Sequence, residues 1–120
     1  MWLKLSNFYL YSGDLIGLPT DENHLNFRWA EPRCKVLFSV SRQGNGASCH
    51  FASDKAGMMK IRTAINEFCE FVFDIFPWCE MIIAKIKLQK VVNLVKRCGF
   101  EKLISANGLH VYIRRKLWEA

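Results

Sequence analysis

Residues 47–86 decide the fold, and they read ASCHFASDKAGMMKIRTAINEFCEFVFDIFPWCEMIIAKI. A strand-like run at 47–52 is followed by apolar residues that recur at the helical period, which predicts a long helix over about 57–76. Pro77 ends this helix because it cannot continue the hydrogen-bond ladder. The strand at 78–86 has a nearly continuous apolar centre, as expected for a parallel strand covered on both faces. The stretch therefore predicts a βαβ unit.

The segments before this unit are predicted as two strands and a loop. Residues 34–41 are β-branched and aromatic, and QGNG at 43–46 predicts a tight hairpin because Gly and Asn tolerate positive φ. Residues 25–29 alternate weakly, as in a strand. Residues 1–24 are predicted as an irregular N-terminal segment, whose start forms either a short helix or a strand and whose loop covers 13–22.

The segments after this unit predict a second helix and a final hairpin. Apolar residues at helical spacing place the helix over 88–98, and Gly99 is its predicted C-cap. Asn107-Gly108 is a strong hairpin turn, so residues 102–105 and 110–114 are predicted to pair.

Length and composition indicate one packed domain. The chain has 120 residues, and 51% of them are hydrophobic. We therefore expect a single α/β (α+β) domain over 1–120, with a mixed, mostly antiparallel sheet, a central βαβ unit and two main helices. No stretch approaches ~20 uninterrupted apolar residues, so no membrane span is predicted. The N-terminus makes a poor signal peptide, and scattered cysteines without a CxxC motif indicate reduced thiols in the cytoplasm and no metal site.

The net charge of +6 is unevenly distributed. Five basic residues and no acidic ones lie between positions 81 and 100. A basic face of this kind attracts nucleic acid, a nucleotide cofactor or an acidic protein, and an ordinary solvated helix face explains it equally well. Because no base-reading motif is present, nucleic acid is the least favoured partner. The five residues are Lys85, Lys87, Lys90, Lys96 and Arg97.

The order of elements resembles the GNAT (N-acetyltransferase) fold. The resemblance covers residues 25–116, and in that family a helix ending in Gly-Phe, here Gly99-Phe100, commonly precedes the last hairpin. Within the family the chain looks most like short, divergent members from tailed phages, including small internal virion proteins of short-tailed phages. Their strand before the long helix often ends in an aromatic–Val–Thr–Ser run, and Phe51-Ala52-Ser53 stands here. The resemblance implies a phage-encoded protein in the host cytoplasm or the virion.

The resemblance also implies an acyl-CoA site with acetyl-CoA as cofactor. Family members bind the pyrophosphate on backbone N–H groups of a loop written Q/R-x-x-G-x-G/A. In the matching residues 54–59 only Gly57 fits, since Asp54 replaces Gln or Arg and Met59 replaces the second small residue. An ordinary Asp-capped helix explains the same residues. The groove is expected along 51–60 and around 83–85, and the candidate cofactor-binding residues are Phe51, Ser53, Lys55, Gly57, Met58, Met59 and Lys60.

Two residues that usually act in the family are replaced. A Tyr four residues before the Gly of Gly-Phe usually protonates the leaving thiolate, and Val95 stands there. An Asn often begins that helix, and Leu88 stands there. Three other residues are candidate catalytic bases, although each also fits an ordinary strand position. These are His50, Glu80 and His110.

Two functions from different classes remain. One is acetyl-CoA-dependent N-acetyl transfer at a degenerate acyl-CoA site. The other is a non-catalytic protein-binding module, either a virion component or a modulator of a host protein. Hydrophobic residues near the N-terminus, including Trp2, Phe8 and Tyr9, are expected to contact such a protein partner.

Overall fold

The computed structural model describes residues 7–117 as a seven-stranded sheet with helices packed on it. The strand order is β1-β2-β3-β4-β5-β7-β6; β4 and β5 are parallel, and all other neighbours are antiparallel. This confirms the predicted fold class. The elements are β1 (Phe8–Leu10), β2 (Leu25–Trp29), β3 (Val36–Gln43), β4 (Gly46–Ser53), α1 (Lys55–Met58), α2 (Ile61–Ile75), β5 (Met81–Ile86), α3 (Gln89–Arg97), β6 (Glu101–Ala106) and β7 (Leu109–Arg115).

The main core lies between one face of the sheet and the apolar stripe of α2. Phe68 of α2 stacks on Phe38 of β3 with ring centroids 4.2 Å apart, and Val72 is fully buried. Offset aromatic contacts of this kind add to the burial of their apolar area. The buried residues of this stripe are Ile61, Ala64, Ile65, Phe68, Cys69 and Val72; of the other positions at the helical period, Phe71 and Phe76 are partly buried and Ile75 is exposed.

Both predicted hairpin turns and the predicted helix C-cap are confirmed. Gly44 has φ 62° in the β3–β4 turn, and Asn107 and Gly108 have φ 53° and 78° in the β6–β7 turn. Gly99 follows α3 with φ 82°. The N–H of Phe100 then donates to the carbonyl of Val95 at 3.1 Å, which satisfies a helix-end carbonyl.

The predicted long helix over 57–76 is wrong at its first turn, because two helices stand there. α1 ends at Met58 and α2 starts at Ile61. Between them the N–H of Lys60 donates to the carbonyl of Gly57, three residues back, at 3.0 Å. Lys60 has φ −121° and ψ 12°, outside the helical range. Glycine is a poor helix former, which favours a break at this place.

The N-terminal segment is more regular than predicted. Phe8–Leu10 form β1 and pair with β2, inside the range expected to be irregular. Phe8 is 5% exposed and belongs to the core, so it is not free for a partner, whereas Tyr9 is 48% exposed. Trp2 lies outside the described residues. The alternation FYL was too short to distinguish a strand from a helical turn.

The bounds of two strands differ from the predicted ones by two residues or more. β3 covers Val36–Gln43 instead of 34–41, and β5 begins at Met81 instead of 78. Pro77 is followed by a turn in which the N–H of Cys79 donates to the carbonyl of Phe76 at 2.9 Å. Within residues 7–117, no helix combines the length and the apolar character needed to cross a membrane.

Candidate functional site

The parallel strands β4 and β5 separate after a short paired stretch. They pair from Gly46 with Met81 to Ser48 with Ile83. Beyond this point β4 stays on β3 through Ser53, and β5 stays on β7 to its end. The sheet therefore opens into a wedge at the C-terminal ends of its parallel pair.

Backbone groups of β4 point into this wedge. Alternate residues of an inner strand direct their N–H and C=O to one neighbour or the other. The N–H of Asp54 donates to the carbonyl of Lys35 at 2.9 Å, so the even-numbered residues of β4 bond to β3. Phe51 consequently directs its N–H and C=O groups into the wedge, beyond the last residues of β4 that pair with β5.

A cavity of about 430 Å³ fills the wedge. A smaller cavity of about 40 Å³ shares five of its lining residues and reaches the core at Ile65 and Phe68. Clefts of this size with a mainly apolar lining are typical of cofactor sites. The larger cavity is lined from β4, from β5 with the turn after it, and from α3, by Cys49, His50, Phe51, Ala84, Lys85, Ile86, Lys87, Leu88, Val91 and Val95.

The two sides of the wedge differ in character because successive strand residues face opposite sides of a sheet. Cys49 and Phe51 pack against the core on the helix side. His50 and Lys85 lie on the opposite face, and both line the cavity. We call the opening at His50 and Lys85 the polar mouth. The wedge thus has an apolar side and a polar mouth.

His50 is half-buried at the polar mouth, next to a second histidine. Its ring centroid lies 6.4 Å from that of His24, and His24 Nδ1 lies 2.9 Å from Asp21 Oδ1. Burial lowers the pKa of His50, and the charges of His24 and Lys85 lower it further. The hydrogen bond with His24 lowers the pKa of Asp21. His50 is therefore neutral near pH 7 and able to accept a proton.

Both longer helices begin without a side-chain cap. Their N-cap residues, Lys60 of α2 and Leu88 of α3, make no capping hydrogen bond, and neither helix has an acidic residue in its first turn. Asp54 caps only the one-turn helix α1. The first N–H groups of α2 thus have no side-chain acceptor, and Ile65, about one turn into α2, lines the inner cavity. The second turn of α2 therefore borders the inner cavity.

Among the candidate cofactor-binding residues, Phe51 lines both cavities. Ser53 instead donates from Oγ to the carbonyl of Asp54 at 2.8 Å, and Lys60 Nζ pairs with Glu31 at 3.5 Å. These two side chains are thus engaged outside the cavity lining. The remaining candidates of the loop are exposed and also outside the lining, namely Lys55, Met58 and Met59.

Gly57 is buried, and its small size serves packing. A Cβ at this position would lie 2.6 Å from Val36 Cγ2 and 3.0 Å from the carbonyl oxygen of Lys35. Its N–H donates to Asp54 Oδ1 at 2.7 Å. The residue that best matches the family loop therefore holds α1 against β3, and its amide already has an acceptor.

The three candidate bases lie in different places. Only His50 lines the cavity. Glu80 precedes β5 at the opposite end of the strand, where its Oε2 accepts from Asn45 Nδ2 at 3.4 Å; this corrects its assignment, because a base there does not reach the wedge. His110 sits beside Ile86 on β7, so β5 separates it from the wedge. Its Nδ1 lies 2.8 Å from Ser105 Oγ.

Val95 and Leu88 both border the cavity, as the family comparison expected for functional positions. Val95 is 4% exposed and offers no proton to a leaving group. Leu88 is 57% exposed at the rim. An acyl-CoA in the wedge would thus meet an apolar wall where the family usually has a tyrosine.

Ala84 lies in the groove range predicted around 83–85, whereas the cavity residues Cys49, Ile86 and Val91 lie outside the predicted groove. Their signal was the parallel βαβ pattern itself, since residues at the C-terminal ends of parallel strands meet at a ligand crevice. Burial raises the pKa of the Cys49 thiol well above its ordinary value, so it is no nucleophilic thiolate. Among residues 7–117, no group of three or more His, Cys, Asp or Glu side chains is arranged to hold a metal ion.

Solved structures with the same architecture are N-acetyltransferases. A spermidine N-acetyltransferase from Vibrio cholerae has a TM-score of 0.63 at 18% identity, over 79% of this chain and 67% of its own. The Campylobacter jejuni N-acetyltransferase PseH in complex with acetyl coenzyme A has a TM-score of 0.66 at 10% identity, over 81% of this chain and 71% of its own. No protein-family model and no curated protein sequence matches the chain.

At these identities the likeness concerns the fold. The chain therefore has the fold of the GNAT N-acetyltransferases.

Proposed function

We propose that this protein binds acyl-CoA in the wedge between β4 and β5 and transfers the acetyl group of acetyl-CoA to an amine. The observation that carries the proposal is the cavity of about 430 Å³ where the parallel strands separate. Two observations support it. Structural neighbours are N-acetyltransferases, and one of them is described in complex with acetyl coenzyme A.

The residues of the wedge fit the parts of an acyl-CoA. The apolar side, with Phe51, Val91 and Val95, suits the acyl group and its thioester. The backbone N–H and C=O of Phe51 suit the amides of the pantetheine arm. The uncapped N-terminus of α2 suits the phosphates, because free N–H groups and the helix dipole favour anions. This moves the phosphate site from the Asp54–Met59 loop to the start of α2.

The chemistry assigns a role to His50. Acetyl-CoA supplies a thioester, whose carbonyl carbon is attacked by a neutral amine nitrogen while the carbon–sulfur bond breaks and CoA leaves as the thiolate. His50 accepts the proton that the nitrogen loses. Val95 donates no proton, so the sulfur takes its proton from water. We expect slow turnover that depends on positioning of the two reactants.

The test is calorimetric titration with acetyl-CoA and with CoA. The wild-type protein should bind both in the micromolar range. Ala84→Phe should abolish binding, because Ala84 lines both cavities and a phenyl ring would fill the wedge. Ala106→Phe, the same substitution on an exposed residue of β6, is the matched control. Absence of binding at millimolar acetyl-CoA by folded wild-type protein would contradict the proposal.

A second candidate is a non-catalytic protein-binding module, a virion component or a modulator of a host protein. It is favoured by Val95 at the cavity and by two exposed apolar side chains, Met59 at 86% and Leu88 at 57% exposure. Affinity purification with wild type and with Met59→Lys tests it. A protein retained by wild type and lost by the variant, together with no acetyl transfer, is the outcome expected from this candidate.

A tailed-phage origin belongs to the proposal, with the host cytoplasm or the virion as location. It is supported by the resemblance carried by Phe51-Ala52-Ser53. Mass spectrometry of particles and of infected-cell extracts from a phage that encodes the chain measures the location. Copies present in purified particles would identify a virion component, and copies confined to the extract would identify a cytoplasmic protein.

A further inference from the structure

His50 and Lys85 stand at matching steps on the two sides of the wedge. The last paired residues are Ser48 and Ile83, and each of the two side chains lies two residues further along its strand. Both line the cavity. The charge of Lys85 lowers the pKa of His50, which requires the two groups to be near one another. An ammonium group thus accompanies the imidazole at the polar mouth.

The polar mouth is positively charged. Lys87 also lines the cavity, and no Asp or Glu lines either cavity. The carboxylate that contacts the neighbouring histidine, Asp21, is hydrogen-bonded to His24 at 2.9 Å. None of the ion pairs found among residues 7–117 involves Lys85, which is exposed. Its ammonium donors are therefore available to a ligand.

This charge distribution discriminates between two classes of amine. A polyamine would bring a second ammonium group toward Lys85 and Lys87, where like charges repel and no carboxylate offsets them. An amine that also carries a carboxylate or a phosphate would place that anion on Lys85. Hydrogen bonds from an ammonium to such an anion are shorter and stronger than neutral ones.

We infer that the amine acceptor of this site carries an anionic group, a carboxylate or a phosphate, which Lys85 binds while His50 faces the amine nitrogen. The inference rests on the proposed acetyl transfer and adds the class of acceptor to it. It separates this chain from its structural neighbour described as a spermidine N-acetyltransferase, since spermidine is a polycation without an anionic group.

The experiment compares amines that differ in one anionic group. Lysine is paired with cadaverine, and glucosamine 6-phosphate with glucosamine; spermidine is the polycation. Binding to the full chain is followed by amide and imidazole NMR shifts at constant ionic strength, because salt screens exposed charges. The variants are Lys85→Gln, Lys85→Glu and, as matched control, Lys102→Glu on the exposed strand β6. The same samples are titrated with acetyl-CoA, and product is measured by mass spectrometry.

The anionic member of each pair should bind about tenfold or more tightly, as expected for one charge-assisted hydrogen bond. This preference should vanish in Lys85→Gln, invert in Lys85→Glu and persist in Lys102→Glu. Equal affinities within the pairs, tighter spermidine binding, or a preference that survives Lys85→Glu would overturn the inference. The acetyl-CoA titration distinguishes failure of the proposed acetyl transfer from failure of the proposed acceptor class. A preference for anionic amines that depends on Lys85, without acetyl-CoA binding, refutes acetyl transfer. Acetyl transfer to spermidine alone refutes the acceptor class.

Discussion

His50 lines the cavity, and its pKa is lowered. Because its folded-state pKa lies below the ordinary value of 6.5, the unfolded chain binds the proton more readily. The contribution of His50 to folding stability is therefore complete above about pH 6.5 and is lost as the pH falls toward the folded-state pKa. The same neutral imidazole is the form that accepts a proton.

We predict that His50→Asn flattens the decline in unfolding free energy between neutral pH and about pH 5. Chemical denaturation at several pH values measures this, and the NMR titration of the His50 ring gives its pKa directly. His110→Asn removes a histidine from β7 and should leave the His50 contribution in place. A His50 ring that titrates above 6.5 would contradict the account.

Gly57 illustrates a residue whose family role and structural role differ. Gly57→Ala should lower the unfolding free energy by about 1–3 kcal/mol, because the new methyl group is forced against Ser53, Val36 and the carbonyl of Lys35. Urea denaturation measures it. Ala56→Ser, on the neighbouring exposed residue of α1, is the control. Unchanged stability of Gly57→Ala together with weaker acetyl-CoA binding would instead support a glycine that admits a phosphate.

The backbone conformation of a residue was predictable from sequence where it depends on the residue type and its immediate neighbours. Gly99, Asn107 and Gly108 adopt the positive φ expected of them. Glu80 was not predictable, because its distance from the wedge depends on where β5 begins after Pro77. Burial of Gly57 depends likewise on the approach of α1 to β3, which no local pattern encodes.

At the scale of elements, the break between α1 and α2 decides the electrostatics of the site. One continuous helix would have carried the Asp54 carboxylate at its positive end. Because of the break, Asp54 caps only the single turn of α1, and α2 has no side-chain cap. Sequence periodicity predicted a helix with an apolar stripe but missed the break, since Lys60 and Met59 are compatible with helix and only their observed geometry excludes it.

This arrangement predicts that an acidic residue at the third position of α2 raises the stability of the protein and weakens acetyl-CoA binding. Thr63→Asp should stabilise the protein by about 0.3–1 kcal/mol through the helix dipole. It should also weaken acetyl-CoA binding by about tenfold, equivalent to about 1.4 kcal/mol, because the carboxylate occupies the positive end that the phosphates need. Thermal denaturation and calorimetry measure the two effects.

A charge-matched control separates local from general electrostatics in that experiment. Gln43→Glu adds the same charge at the β3–β4 hairpin, at the other end of β4 from the wedge opening. This variant should change neither the stability nor the acetyl-CoA affinity appreciably. Equal loss of affinity in both variants would mean that net charge, and not the start of α2, governs binding.

At the scale of the whole molecule, the order of elements was predictable and the position of the cavity was only partly so. Strand, turn and helix signals follow one another along the chain, and βαβ connectivity placed the crevice at the ends of the parallel strands. The depth of the wedge and the partners of each candidate side chain depend on contacts between distant residues, such as Lys60 with Glu31. Such contacts leave no local signature.

The whole fold also protects its thiols. Four of the five cysteines are buried, and Cys49 is partly buried. Burial raises the pKa of the Cys69 thiol to about 12 and raises those of the other three buried thiols. These are inert, protonated thiols.

We predict that labelling of the four buried thiols by a maleimide follows global unfolding. Its rate should rise with urea in step with the circular-dichroism transition, and labelling of Cys49, whose raised pKa also disfavours the thiolate, should be slowed further by acetyl-CoA. Mass spectrometry of labelled peptides distinguishes the sites. Rapid labelling of all five in native buffer would show that the packing described here does not persist in solution.

The main-chain N–H and C=O of Phe51, which face the wedge, have a consequence for how this site can be inherited. Peptide amides are the same whatever side chains they carry, so drift can erase every recognisable motif while the hydrogen-bonding edge of β4 persists. Alanine scanning is blind to such groups. Replacing the amide of Phe51 by an ester through chemical ligation removes one donor and keeps every side chain, and a loss of acetyl-CoA affinity in that analogue would trace binding to the backbone.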